Sequence, residues 1–201
     1  PAGTCLFGIK IPPEGGDTLF ANQHLAFDMM PHELRDKLEG KKGIHSALIP
    51  YSASGGYGQK DKEMGRSMDI RFSDEALAKQ THPIIREHPE TGRKGIFGTF
   101  GYTIGIEGME DQEAMKLLIE LSNWQSQEQF QYRHKRKKNM LVMWDNRSVL
   151  HKATGGYQGH ERLLHRTTIA AYDAAEIDNL SFEPYRSVIL LGCICLLYTS
   201  P

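Results

Sequence analysis

Between Leu141 and Ile169 the chain reads LVMWDNRSVLHKATGGYQGHERLLHRTTI, which sets His151, Arg162 and Arg166 in one stretch. An imidazole ligates transition metals through either ring nitrogen. A guanidinium offers a planar fork that matches a carboxylate or sulfonate through two hydrogen bonds, and it is costly to bury unless an anion meets it. These residue types would allow a metal held beside a small anion. The residues alone also leave open a second arrangement, in which Asp or Glu side chains opposite the strand neutralise both arginines.

The elements that must position these groups are strands. Leu163 to Ile169 alternates, so Arg162, Leu164, Arg166 and Thr168 share one face and Leu163, His165, Thr167 and Ile169 the other. Leu141 to Trp144 is a preceding strand, and Gly155, Gly156 and Gly159 mark a long connection between the two. Upstream, Thr4 to Ile11 reads as a strand, Pro12 to Gly16 as a turn and Asp17 to Ala21 as a second strand. Two helices follow, Asn22 to Met30 and Pro31 to Glu39, with Asn22 as cap and Gly40 at the end. Their apolar residues Leu25, Ala26, Met29, Leu34 and Leu38 are expected to pack on the sheet, leaving His24 and His32 at the surface.

Ile44 to Asp69 loses periodicity and reads as a lid loop, followed by an acidic turn within Ser73 to Gln80. His82 to His88 and Lys94 to Phe100 form a predicted hairpin. His88-Pro89-Glu90 is an H-x-E that, with His151, has the composition of a 2-His-1-carboxylate metal site. Glu90, however, falls in the turn, facing away from any interior, so this trio is set aside. Gly108 to Trp124 has helical spacing of Met109, Met115, Leu118, Ile119 and Leu121, with acidic residues in its first turn.

Composition narrows the class. The 201 residues suffice for one domain, and 39% hydrophobic with 24% charged residues is the make-up of a soluble globular protein. A net charge of -1 gives no electrostatic reason to expect nucleic acid or membrane as partner. The basic run Arg133 to Lys138 (RHKRKK) is read as a solvated strand or turn. Three cysteines without a CxxC pair fit a reducing, cytoplasmic setting. Val188 to Tyr198 is too short an apolar run to span a bilayer.

WDNR at Trp144 to Arg147, His151, and ERLLHRTT at Glu161 to Thr168 resemble the C-terminal signature of the taurine dioxygenase and 2,4-dichlorophenoxyacetate dioxygenase family. GGDT at Gly15 to Thr18 and HPIIREHPETGRKGIF at His82 to Phe97 extend the resemblance from Pro1 to about Tyr172. It implies a mainly β fold with flanking helices, an incomplete double-stranded β-helix or jelly roll, over residues 1–185. Residues 186–201 are expected to be non-native or disordered. The implied activity is hydroxylation of a small anionic substrate, a taurine-like sulfonate or an aryloxy acid, dependent on Fe(II), O2 and 2-oxoglutarate, with release of succinate and CO2. His151 is similar to the later iron ligand, Thr18 and Arg162 to the pair holding the far carboxylate of 2-oxoglutarate, and Arg166 to the arginine meeting the substrate anion. The family's His-x-Asp ligand pair is expected upstream of Pro1, so the chain reads as a fragment that is inactive alone. Trp144 and Asn146 are expected to shape the barrel. A non-catalytic jelly-roll binding module is the competing reading, and homo-oligomerisation is left open.

Overall fold

The computed structural model describes residues 1–51 and 74–170. Eleven strands, all paired antiparallel, form the framework. β1 (Gly3–Lys10) lies between β11 (Leu163–Ile169) and β9 (Leu141–Asp145) in one three-stranded sheet. β2 (Thr18–Asn22) lies between β10 (Val149–Ala153) and β8 (Gln131–His134) in a second. A third sheet has β3 (Lys42–His45) between β4 (Gln80–Pro83) and β7 (Thr103–Ile106), and β5 (Ile85–Glu87) pairs with β6 (Lys94–Ile96).

Pairing register tells which side chains face inward. Thr4, Leu6, Trp144 and Arg166 share a face of the first sheet, because Thr4 pairs with Trp144 and Thr168 while Leu6 pairs with Val142 and Arg166. On the second sheet, Thr18 pairs with Ala153 and Phe20 with His151, which puts Thr18, Phe20 and His151 on one face. Ring contacts join the two faces: Trp144 lies 5.2 Å from Phe20 and 4.9 Å from His151 between centroids. These are therefore the facing inner surfaces of a jelly roll. The outer face of the first sheet exposes Phe7, Leu141, Met143 and Ile169.

The apolar core sits elsewhere, under the helices. α1 (Gln23–Asp28), α2 (His32–Leu38) and α4 (Asp111–Gln125) bury Ala26, Phe27, Leu34, Leu38, Leu117, Leu118 and Leu121 against Ile84, Ile96, Ile106 and Phe130. Asn22 caps α1 as expected, its Oδ1 accepting from the backbone N–H of His24 and Leu25. Glu110 does the same for α4 at Gln112 and Glu113. Trp124 Nε1–H donates to Ala26 O at 2.8 Å and ties α4 to α1.

Several expectations need correcting. The connection read between Leu141 and Leu163 contains a strand, β10, and His151 is on it. Ile44 to Asp69 does not open as a loop: β3 runs to His45 and a helical turn, α3 (Leu48–Tyr51), follows, while residues 52–69 lie outside the described part. The hairpin is split, since β4 pairs with β3 and only β5 with β6. Leu25, Met29, Met115 and Ile119 are exposed rather than packed, because α1 and α4 turn other residues inward. His24 is buried, where Nδ1–H donates to Lys94 O at 2.7 Å. A Cβ at position 95 would stand 2.9 Å from that Nδ1, so Gly95 makes the room. The expected tail, residues 186–201, lies outside the described residues.

Candidate active site

Thr18, His151, Arg162 and Arg166 are carried by three segments of the two facing sheets. β2 and β10 supply Thr18 and His151 from the second sheet, and β11 with its lead-in supplies Arg166 and Arg162 from the first. The GGDT turn shapes one wall. Gly15 and Gly16 have φ of 73° and 65°, a region that favours glycine, and Gly16 N–H donates to Gly155 O at 3.1 Å. A Cβ on Gly16 would approach Arg162 Nε to 2.9 Å, so the bare backbone lets the guanidinium lie against the turn. Arg162 is buried, with Nη2–H donating to Gly16 O at 3.4 Å and its guanidinium over the Tyr157 ring.

The sequence reading missed a third arginine. Arg136, inside the RHKRKK run taken to be solvated, is buried at 8% exposure and donates from Nε at 3.0 Å and Nη2 at 2.7 Å to Thr18 Oγ1. Burial, then the nearby Arg162 charge, push its pKa down to about 10, with Asp17 opposing. Arg133 of the same run is held by Asp17 at 2.7 Å, while Lys135, Lys137 and Lys138 are exposed as expected.

His151 presents an open side chain backed by Trp144. Desolvation on the protein side, then the charges of Arg166 and Arg136, lower its pKa, so the ring is held neutral at physiological pH, the form that binds a metal. Arg166 has a buried Nε without a hydrogen-bond partner. Two cationic side chains thus act on the imidazole. Trp144 and Asn146 brace the wall: Trp144 Nε1–H donates to Asn146 Oδ1 at 2.9 Å, and Asn146 Nδ2–H to Thr4 Oγ1 at 2.9 Å.

The His88-x-Glu90 pair does meet a third potential ligand, though not His151. His88, Glu90 and Asp145 bring their donor atoms within 4.8 Å of one another, and Glu90 turns toward His88 rather than away. Arg147 occupies both carboxylates, with Nη2 at 2.6 Å from Asp145 and Nη1 at 2.9 Å from Glu90. His88 Nε2–H donates to Asp145 Oδ2 at 2.9 Å. Burial alone would raise the Asp145 pKa, but hydrogen bonds from Arg147 and His88 hold it well below the usual carboxylate range. A guanidinium already in place makes this an ion-pair network that fastens β9 to the β5–β6 hairpin.

The donor chemistry fits part of a metal site. His151 offers one neutral imidazole, whereas a facial site needs three protein ligands; among the described residues the only trio of suitable groups is the one that Arg147 neutralises.

Comparison with known proteins places the chain. The family model described as "Taurine catabolism dioxygenase TauD, TfdA family" matches residues 1–168. The alpha-ketoglutarate-dependent 2,4-dichlorophenoxyacetate dioxygenase of Cupriavidus pinatubonensis is 33% identical over 166 residues, 81% of this chain and 53% of that protein. The alpha-ketoglutarate-dependent sulfonate dioxygenase of Saccharomyces cerevisiae is 29% identical over 185 residues, 90% of this chain and 41% of that protein. Among solved structures, AAD-2 in complex with Mn(II) and N-oxalylglycine superposes with a TM-score of 0.69 at 26% identity, covering 86% of this chain and 64% of that one. A taurine dioxygenase from Burkholderia xenovorans gives 0.68 at 26%, covering 86% and 53%. The chain spans about half the length of the first curated relatives it matches. Its jelly-roll sheets, its motifs and these matches agree, and the chain belongs to the TauD, TfdA dioxygenase family.

Proposed function

We propose that this chain supplies the co-substrate pocket and one metal ligand of an Fe(II)- and 2-oxoglutarate-dependent dioxygenase. Its substrate would be a small anion, a sulfonate or an aryloxy acid, hydroxylated as 2-oxoglutarate and O2 yield succinate and CO2. The observation that supports this reading is a cluster of charge: Arg166 and Arg136 lower the pKa of His151, Arg162 acts on Arg136, and Arg136 donates to the Thr18 hydroxyl. Fixed cations with an open imidazole suit an anionic co-substrate and an anionic substrate held about one metal ion.

In this reading His151 holds iron, and the other two ligands come from the His-x-Asp pair expected upstream. Bound iron supplies the activation of oxygen. Arg162 and Thr18 grip the far carboxylate of 2-oxoglutarate through charge-assisted hydrogen bonds, and Arg166 meets the substrate's anionic group. Relatives named for 2,4-dichlorophenoxyacetate and sulfonates support this substrate class, and the relative solved with Mn(II) and N-oxalylglycine supports a metal beside a 2-oxoglutarate-like ligand. A cytoplasmic location fits the unpaired Cys5. Among the described residues no helix is long and apolar enough to cross a membrane.

The test is succinate release by the full-length protein given Fe(II), 2-oxoglutarate and a panel of sulfonates and aryloxyacetates. Succinate that depends on one of these substrates is expected, and none with any of them counts against an oxygenase. The 201 residues alone are expected to be inactive, since one imidazole does not make a facial iron site. A second reading, a binding module without turnover, rests on that single imidazole; binding of 2-oxoglutarate by the full-length protein with no succinate would select it.

A further inference from the structure

Thr18 Oγ1 receives two hydrogen bonds from one guanidinium, Arg136 Nε–H at 3.0 Å and Nη2–H at 2.7 Å. A threonine hydroxyl has two acceptor lone pairs and one O–H. Both N–H groups come from one edge of one guanidinium, so they meet the oxygen from a single side and leave the O–H to point elsewhere. No acceptor for that O–H is found among the described residues, and both Thr18 and Arg136 are buried, at 3% and 8% exposure. A buried hydroxyl whose proton has no acceptor is costly until something supplies one. The charges nearby define what that is. Arg162 lies close enough to disfavour the charged form of Arg136, so the surroundings of Thr18 carry positive charge. An anionic oxygen placed there would accept a hydrogen bond from the Thr18 O–H.

We propose that Arg136 is a positioning residue for the co-substrate: by donating to the side of Thr18 Oγ1 that faces it, it turns the O–H away from itself and orients that hydroxyl as a donor to the far carboxylate of a five-carbon 2-oxo diacid. This rests on the assignment of Thr18 and Arg162 to 2-oxoglutarate made above. Arg136 acts through Thr18. Its consequence is selectivity. The pocket favours a 2-oxo acid with a second carboxylate over one ending in a methyl group, because only the former gives the Thr18 proton an acceptor.

The experiment is equilibrium binding by calorimetry to the full-length, metal-loaded protein without oxygen, comparing 2-oxoglutarate with 2-oxopentanoate, which carries a methyl group in place of the far carboxylate. Wild type is expected to prefer 2-oxoglutarate. Arg136→Met is expected to lower 2-oxoglutarate affinity by about tenfold, the scale of one charge-assisted hydrogen bond, with 2-oxopentanoate affinity little changed. A merely structural defect would weaken both ligands alike, and that result overturns the proposal. In a Thr18→Val background the same Arg136→Met change is expected to cost less than about twofold, since the partner through which it acts is gone. A full additional loss there would mean that Arg136 meets the carboxylate itself, which also overturns the positioning role. Should Arg136→Met fail to fold, Arg136→Lys keeps the charge but supplies a point donor in place of the fork. It is expected to show part of the selectivity loss, and full wild-type selectivity in that variant overturns the inference. If wild type binds no 2-oxoglutarate, the co-substrate assignment fails, and this inference with it. If wild type binds and Arg136→Met binds equally well, only the inference fails.

Discussion

Trp144 on β9 and His151 on β10 face each other ring to ring at 4.9 Å, so one wall of the cavity is an indole set against the candidate ligand. The indole is held by Asn146, which is held in turn by Thr4 of β1. Trp144→Phe keeps a ring but removes the Nε1–H donor, leaving Asn146 Oδ1 with the Thr4 hydroxyl alone. A loss of about 1 kcal/mol in denaturant unfolding is expected, the usual net worth of one such hydrogen bond. A stability unchanged from wild type would show that the brace is not needed.

The network of Asp145, Arg147, His88 and Glu90 should appear in the acid limb of stability. The folded-state pKa of Asp145 is depressed, so its contribution is fully present above the unfolded value near 4 and is lost as pH falls through the folded value. Asp145→Asn is expected to cost about 1–3 kcal/mol at pH 7, the range for hydrogen bonds to charged groups, and to flatten the decline below pH ~4. Thermal melts across pH 2 to 7 check both, and a parallel downward shift at every pH would contradict the linkage.

His45 has a different pH signature. Burial first, then the His82 ring 5.2 Å away, lower its pKa to about 4. Its Nε2 is buried without a hydrogen-bond partner. Because the unfolded chain takes up this proton more readily, stability is fully present above the unfolded value near 6.5 and declines as pH falls from there toward 4. His45→Phe is expected to remove that part of the decline. An NMR titration of the wild-type ring that gave a midpoint near 6.5 would contradict the assignment.

Gly16 tests the wall of the pocket without replacing a charged residue. Gly16→Ala adds a Cβ at 2.9 Å from Arg162 Nε on a backbone with φ of 65°, so the guanidinium must move or the turn must strain. Weaker 2-oxoglutarate binding, by about tenfold or more, is expected along with a stability loss of about 1 kcal/mol. Unchanged affinity would indicate that Arg162 does not set the co-substrate's position.

How far the sequence could be read depended on whether a residue's neighbours lay near it in the chain. β11 was legible because alternation over seven residues declares both its limits and its inward face, and Leu164 is indeed 1% exposed. β10 was not, since VLHKA is short and ends in exposed His, Lys and Ala, and its partner strand is β2, far upstream. Asn22 could be read as a cap because the N–H donors it accepts from are two and three residues away. Arg136 was hidden in a run of cations, most of which are solvated, and nothing local marks it as the one that turns in to Thr18. The pairing of HPE with WDNR likewise joins His88 to Asp145 across 57 positions, with no spacing rule to announce it. The candidate site was therefore found through motif order, while its supports came only from the fold.

The central claim is that His151 grips the metal. The most direct measurement is the iron retained per chain after anaerobic equilibrium dialysis of the full-length protein, wild type against His151→Ala, with circular dichroism confirming that both are folded. The account predicts close to one Fe(II) per wild-type chain and a loss of most of it in the variant. Equal retention by the two proteins would contradict it.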